Sequence, residues 1–75
     1  MTKNLLVTAN VAGSPEKLER IYSMLQRLGE ASRLQPSTFA LNTNVTLRGV
    51  RSAILQELEE GDSLCVALTT QIVTH

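Results

Sequence analysis

From Ser37 to Thr43 apolar and polar residues alternate, from Leu47 to Leu58 the apolar ones recur every third or fourth position, and from Ser63 to Thr70 they alternate again. A period of two is that of a strand with unlike faces, and a period near 3.6 that of an amphipathic helix. The stretch STFALNT therefore predicts a strand with Phe39 and Leu41 on one face and Thr38, Ala40 and Asn42 on the other. The helix that follows is capped by Thr46, whose side-chain oxygen can accept an orphan backbone N–H, and its buried stripe is Leu47, Val50, Ile54 and Leu58. Gly49 costs this helix about 1 kcal/mol relative to alanine, which points to close packing or close approach at its first turn. Gly61 is the predicted helix stop and Asp62 opens the turn. The strand SLCVALTT then sets Leu64, Val66 and Leu68 against Cys65, Ala67 and Thr69.

The first half of the chain reads the same way. Residues 4 to 11, if extended, put Leu5, Val7, Ala9 and Val11 on one face and Leu6, Thr8 and Asn10 on the other, and apolar residues on both faces predict a central strand. Ala12 and Gly13 break it. Ser14 and Pro15 start a helix as cap and first residue, Glu16 sits where the helix dipole favours a negative charge, and Leu18, Ile21, Tyr22, Leu25 and Leu28 form one stripe. Gly29 is the predicted left-handed terminator. Residues 31–35 offer a short, weakly patterned strand before Pro36, predicted at a sheet edge because proline lacks an inner strand's donor. Gln71 to Val73 form a last short β-prone segment, and residues 71–75 are predicted as a tail that augments a dimer.

The resulting order, β-α-β-β-α-β, predicts an α+β fold of the ferredoxin-like split β-α-β type, an antiparallel sheet with two helices on one face, in a single domain covering residues 1–75. The other face of that sheet would carry Thr8, Asn10, Thr38, Ala40, Asn42, Cys65, Ala67 and Thr69. These side chains are small and uncharged, whereas a solvated sheet face normally shows Lys and Glu. The expectation is a homodimer with that face packed against its two-fold mate.

Seventy-five residues bury a limited core, and with Tyr22 and Phe39 the only aromatics that core must be aliphatic. Seven basic and seven acidic residues cancel, so no global field draws in nucleic acid or an anionic membrane, and phosphate recognition would have to be local. The lone Cys65 excludes an internal disulfide and a CxxC metal site. The opening MTKNLLVTANVAG is too polar for a signal-peptide core and too short to span a bilayer, which predicts a soluble, cytoplasmic chain with no membrane partner.

Few residues carry candidate chemistry. Arg48 and Arg51 near the start of the second helix, with Arg33 from the strand before, form a candidate phosphate or nucleic-acid site. Glu57, Glu59 and Glu60 read as a solvated acidic helix end, since a divalent ion would need further oxygens and only Asp62 lies near. Ser14 has no histidine to activate it and is explained as a cap; Cys65 has no basic neighbour and reads as a small buried hydrophobe. Tyr22 reads as core with its hydroxyl at the rim.

The strand and loop LLVTANVAG, the helix ending Leu28-Gly29, the strand opening Ser37-Thr38-Phe39, the VTLRGVRSAI helix start and the GDSLCVAL strand with Asp62 together resemble the small ferredoxin-like CRISPR adaptation-subunit superfamily, which includes VapD-like and SinR-like proteins. The resemblance implies a homodimer. In nuclease-competent members it implies an aspartate at the end of the first strand, with a divalent metal shared across the dimer axis. Asn10 stands there in this chain. An amide oxygen brings no charge, so two facing asparagines would hold magnesium poorly. The expectation is a non-catalytic scaffold, or a binder of nucleic acid or of a protein partner, with no cofactor. The alternatives are a magnesium-dependent endoribonuclease or deoxyribonuclease, and a mobile-element accessory protein that sequesters a nucleotide or a defence protein.

Overall fold

The computed structural model describes residues 2–11 and 15–70. The elements are β1 (Lys3–Asn10), α1 (Pro15–Leu28), β2 (Gly29–Gln35), β3 (Thr38–Thr43), α2 (Leu47–Leu55) and β4 (Ser63–Thr69). The four strands form one antiparallel sheet in the order β2-β3-β1-β4. Each helical connection therefore steps over one strand: α1 carries the chain from β1 past β3 to β2, and α2 carries it from β3 past β1 to β4. As predicted, β1 is central and the strand before Pro36 is an edge.

Alternation decides which side chains enter the core. Leu5, Val7 and Ala9 of β1 and Phe39 and Leu41 of β3 point to one face, where Ile21 and Leu25 of α1 and Val50 and Ile54 of α2 meet them, none more than 1% exposed. Fully burying one of the larger side chains contributes about 1.5–3 kcal/mol. One cluster joins both helices, so both lie on the same face of the sheet, and the shortest extent of 18 Å holds those two layers only. Phe39, the one aromatic in the centre, stacks on half-buried Tyr22 with ring centroids 5.7 Å apart.

The structure departs from the sequence reading at both helix ends. Gly29 is not a left-handed terminator, because Gly61 is the only described glycine with positive φ. The chain passes from Leu28 straight into β2, and Gly29 is needed for space: a Cβ there would stand 2.1 Å from the Asn42 carbonyl oxygen of β3. Helix α2 does not run to Gly61 but ends at Leu55. The amides of Glu57 and Leu58 instead bond to carbonyls three residues back, and Asp62 accepts the Glu59 amide at 2.9 Å. Three glutamates opposing the negative pole of the dipole favour that early stop. Gly61, with φ of 94°, turns the connection into β4.

The Thr46 cap is as predicted, its Oγ1 accepting the Gly49 amide at 3.0 Å. Gly49 serves close packing, since a Cβ would lie 2.8 Å from the Val45 side chain. The predictions for Ala12, Gly13, the Ser14 cap and the tail at 71–75 lie outside the described residues. Among the described residues no helix is long and apolar enough to cross a membrane.

Candidate functional site

The face of the sheet away from the helices is built by the alternate residues of all four strands. Cross-strand register places Ser32, Ala40, Leu6 and Ala67 in one row across the middle. On either side lie the rows Glu30, Asn42, Asn4 and Thr69, and Gln35, Thr38, Thr8 and Cys65, with Asn10 opposite Ser63 beyond. Glu30 is the one charge among them. Asn42 Nδ2 donates to Asn4 Oδ1 at 2.7 Å, so even the amides at this surface are tied to each other. The predicted dimer-face residues Thr8, Thr38, Ala40, Asn42, Ala67 and Thr69 thus share one face, with Leu6 as an aliphatic knob between two alanines. Cys65 is exposed on this face; its place opposite Thr8 sets its side chain outward, which corrects the expectation of burial.

The two ends of the strands differ in charge. At the end where β1 finishes, α1 begins and α2 gives way to β4, acids outnumber bases: Glu16, Glu19, Glu57, Glu59, Glu60 and Asp62 against Lys17, Arg20 and Arg33. All three bases are paired. Lys17, 6% exposed, donates to Asp62 Oδ2 at 2.7 Å with Glu59 at 3.6 Å. The hydrogen bond to Asp62, more than the two carboxylate charges, holds the Lys17 ammonium above the ordinary lysine value against its desolvation. Arg20 reaches Glu57 at 3.2 Å. The acidic stretch predicted as a solvated helix end lies beyond the helix: Glu59 and Glu60 are exposed as expected, while Glu57 and Asp62 tie the connection to α1.

Arg33 does not join Arg48 and Arg51. It lies on the edge strand β2, bonded to Glu19 and to the Pro36 carbonyl, over the rings of Tyr22 and Phe39 at 5.8 and 5.5 Å. That geometry, on α1's side of the sheet, commits its guanidinium.

At the opposite end, where β1 and α2 begin and α1 finishes, the elements carry Lys3, Arg27, Arg48 and Arg51 and, among the described residues, one acid, Glu30; Arg27 also lines a groove with Glu19, Arg20 and Glu57. Buried Thr43 knits this end together: its Oγ1 donates to the Leu28 carbonyl at 2.6 Å and accepts the Val45 amide at 3.0 Å. Lys3 Nζ donates to the carbonyls of Asn44 and Val45 at 3.3 and 3.2 Å. Arg48 and Arg51 are exposed, and among the described residues none of the four bases forms an ion pair.

Asn10 is exposed at the end of β1. Among the described residues no three His, Cys, Asp or Glu side chains are grouped to share a metal ion, and no buried side-chain nitrogen or oxygen lacks a partner. Sequence reasoning passed over Lys17, Thr43, Lys3 and Arg27. Lys17 falls four residues before Ile21 on the inward stripe, and Thr43 continues the inward series of Phe39 and Leu41, so periodicity held the signal for both.

No protein-family model matches the chain, and no curated protein matches it.

Proposed function

We propose that this chain is a non-catalytic pairing module, a homodimer formed across the open face of its sheet that serves as a scaffold. The observation that carries the reading is that face: four strands of small, uncharged side chains around Leu6, with Glu30 the one charge. Lone strands are solvated readily with lysine and glutamate on the wet side, so a face that avoids them fits coverage by an equally uncharged surface. A second copy supplies one without like-charge repulsion, the Leu6 knob of each meeting the alanine flats of the other. With strands about 4.8 Å apart and a rise of about 3.3 Å per residue, the face spans roughly 19 by 23 Å, at the small end for specific pairing. The dimer is accordingly weak and concentration-dependent.

The fold reading that goes with this proposal is the ferredoxin-like split β-α-β sandwich, supported by connections that each step over one strand. The chain also resembles the CRISPR adaptation-subunit superfamily at the motifs given above, and Asn10 in place of an aspartate favours binding over hydrolysis.

Sedimentation equilibrium tests the pairing. The expected result is a mass rising toward twice the 8.2 kDa of the chain as concentration reaches about 100 µM, and Leu6→Lys held at the monomer mass with unchanged circular dichroism. A wild-type chain that stays at its monomer mass throughout overturns the proposal.

A further inference from the structure

We propose that copies of this chain join edge to edge, β2 of one beside β4 of the next, so that the sheet continues from molecule to molecule. The joint uses strand edges rather than the open face and does not depend on the pairing of faces. The phase of the hydrogen-bond ladder says which groups each edge offers. The Ala9 amide donates to the Ser37 carbonyl at 3.0 Å. Bonded residues alternate along an antiparallel pair, so odd-numbered residues of β1 bond to β3 and even-numbered ones to β4. By the same alternation Ala40 and Asn42 turn toward β2 and bond to Ser32 and Glu30, as the Asn42 carbonyl beside Gly29 bears out. Gly29, Ala31 and Arg33 of β2 are left with N–H and C=O pointing away from the sheet, and so are Leu64, Val66 and Leu68 of β4. Among the described residues neither edge has a further strand beside it, and neither strand carries the lysine or proline that commonly guards an edge.

The two edges fit each other. Neighbouring strands are antiparallel throughout, so β2 and β4 run in opposite directions. A copy displaced sideways therefore sets its β4 antiparallel to β2 with all helices on one side. Four strands about 4.8 Å apart repeat every 19 Å or so, and two helices packed about 9 Å apart need about 18 Å, so both layers continue. The free groups at both edges belong to residues on the helix side: Gly29, Ala31 and Arg33 lie opposite Thr43, Leu41 and Phe39, and Leu64, Val66 and Leu68 opposite Ala9, Val7 and Leu5. Pairing Gly29 with Leu68 of the next copy, Ala31 with Val66 and Arg33 with Leu64 sets large side chains against small ones. Leu68, 63% exposed in the lone chain, then covers the place where Gly29 has no side chain. Leu64 meets a groove of about 420 Å³ walled by Pro15, Leu18, Leu34 and Pro36 beside Arg33. A second β2 would bring to that groove only glycine, alanine and the already engaged Arg33. The joint is therefore between unlike edges, and such a joint does not close on itself at two copies.

One strand's width is a small contact, with a dissociation constant on the order of 1 mM, so the joint forms above the concentration at which faces pair. Small-angle X-ray scattering of Leu6→Lys, which removes face pairing, tests it. At about 2 mM the mean mass should be about three times the 8.2 kDa of the chain and still rising with concentration, as growth without closure requires. It should be higher at 500 than at 50 mM NaCl, because the joint sets the acid-rich ends of neighbouring copies side by side and salt screens their repulsion. Proline at Ala31 or at Leu68 removes only an outward N–H and leaves the ladder intact. In the Leu6→Lys background, Ala31→Pro and Leu68→Pro should each stay at the monomer mass. Their equimolar mixture should rise above it without exceeding two chains, since one supplies an intact β4 and the other an intact β2. Circular dichroism checks folding, and Leu68→Lys, at an exposed position, is a second block of the β4 edge. A Leu6→Lys chain that stays monomeric at 2 mM, or whose mass levels off at two copies, overturns the proposal whatever the proline variants do. So does either proline variant associating alone, which would mean that like edges pair, or a mixture that stays monomeric. Association weakened by salt also overturns it, assigning the contact to opposite charges instead. A wild-type chain that is monomeric at 100 µM removes face pairing and leaves this test standing.

Discussion

The two ends of this small sheet are closed by different chemistry. Where β1 finishes, the helices are fastened by ion pairs: Lys17 to Asp62 and Glu59, Arg20 to Glu57, Arg33 to Glu19. Where β1 begins, closure is neutral on at least one side of every contact: the Thr43 hydroxyl between Leu28 and Val45, the Thr46 cap on Gly49, and Lys3 on two carbonyls. Because the second end is held without carboxylates, its arginines stay available to solvent. The contrast also shows that net charge is too coarse a measure here. Zero overall conceals one end rich in bases and one rich in acids, and the field that a partner meets is the local one.

The comparison is broken most severely at the neutral end. Gly29→Ala sets a Cβ against the Asn42 carbonyl at 2.1 Å, and because backbone cannot swing aside as a side chain does, the loss should lie near the upper end of overpacking costs, about 3 kcal/mol. Urea denaturation at 50 and 500 mM NaCl should give the same loss at both salts; a loss that changes with salt would mean that this end is held by charge after all.

At the other end the expected signature is a dependence on pH. The Lys17 ammonium is held above the ordinary value of 10.5, foremost by its hydrogen bond to Asp62. A raised pKa in the folded state means that the contribution is fully present below about pH 10.5 and lost as pH climbs through the higher folded value. Lys17→Met should therefore lower stability between pH 7 and 10 and lose less than the wild type above pH 10.5. Melting curves from pH 7 to 12 measure this, and parallel profiles for the two proteins would remove the ion pair from the account.

Much of the sheet was legible because alternation in β1, β3 and β4 has one reading, and the Thr46 cap because its side chain acts on its own helix. The stop of α2 was not, since Leu58 continues the helical stripe and the competing bond, Asp62 to the Glu59 amide, comes from beyond the segment. Gly29 was misread because its constraint is a neighbouring strand, invisible to a local rule. The polarity of charge was available in principle: β-α-β-β-α-β order brings the 57–62 connection to the same end as the first turn of α1. Counting charges over the whole chain hid it. Arg33 was grouped with Arg48 and Arg51 by nearness in sequence, whereas the sheet order sends it to the opposite edge.

The smallest expected effect sharpens the contrast within the ionic end itself. Arg20 and Glu57 have side chains 55% and 32% exposed, against 7% and 6% for Lys17 and Asp62. An exposed pair gains little Coulomb energy in water and loses side-chain freedom in forming, so a double-mutant cycle of Arg20→Ala and Glu57→Ala should give a coupling of only about 0.2–0.5 kcal/mol at 50 mM NaCl. At 1 M NaCl the screening length falls to about 3 Å, close to the 3.2 Å separation of the pair, and the coupling should vanish. The Lys17 and Asp62 pair, shielded from solvent ions, should keep most of its coupling under the same change. If both couplings disappear together at high salt, burial does not distinguish the two pairs and the ionic end is fastened by surface electrostatics alone.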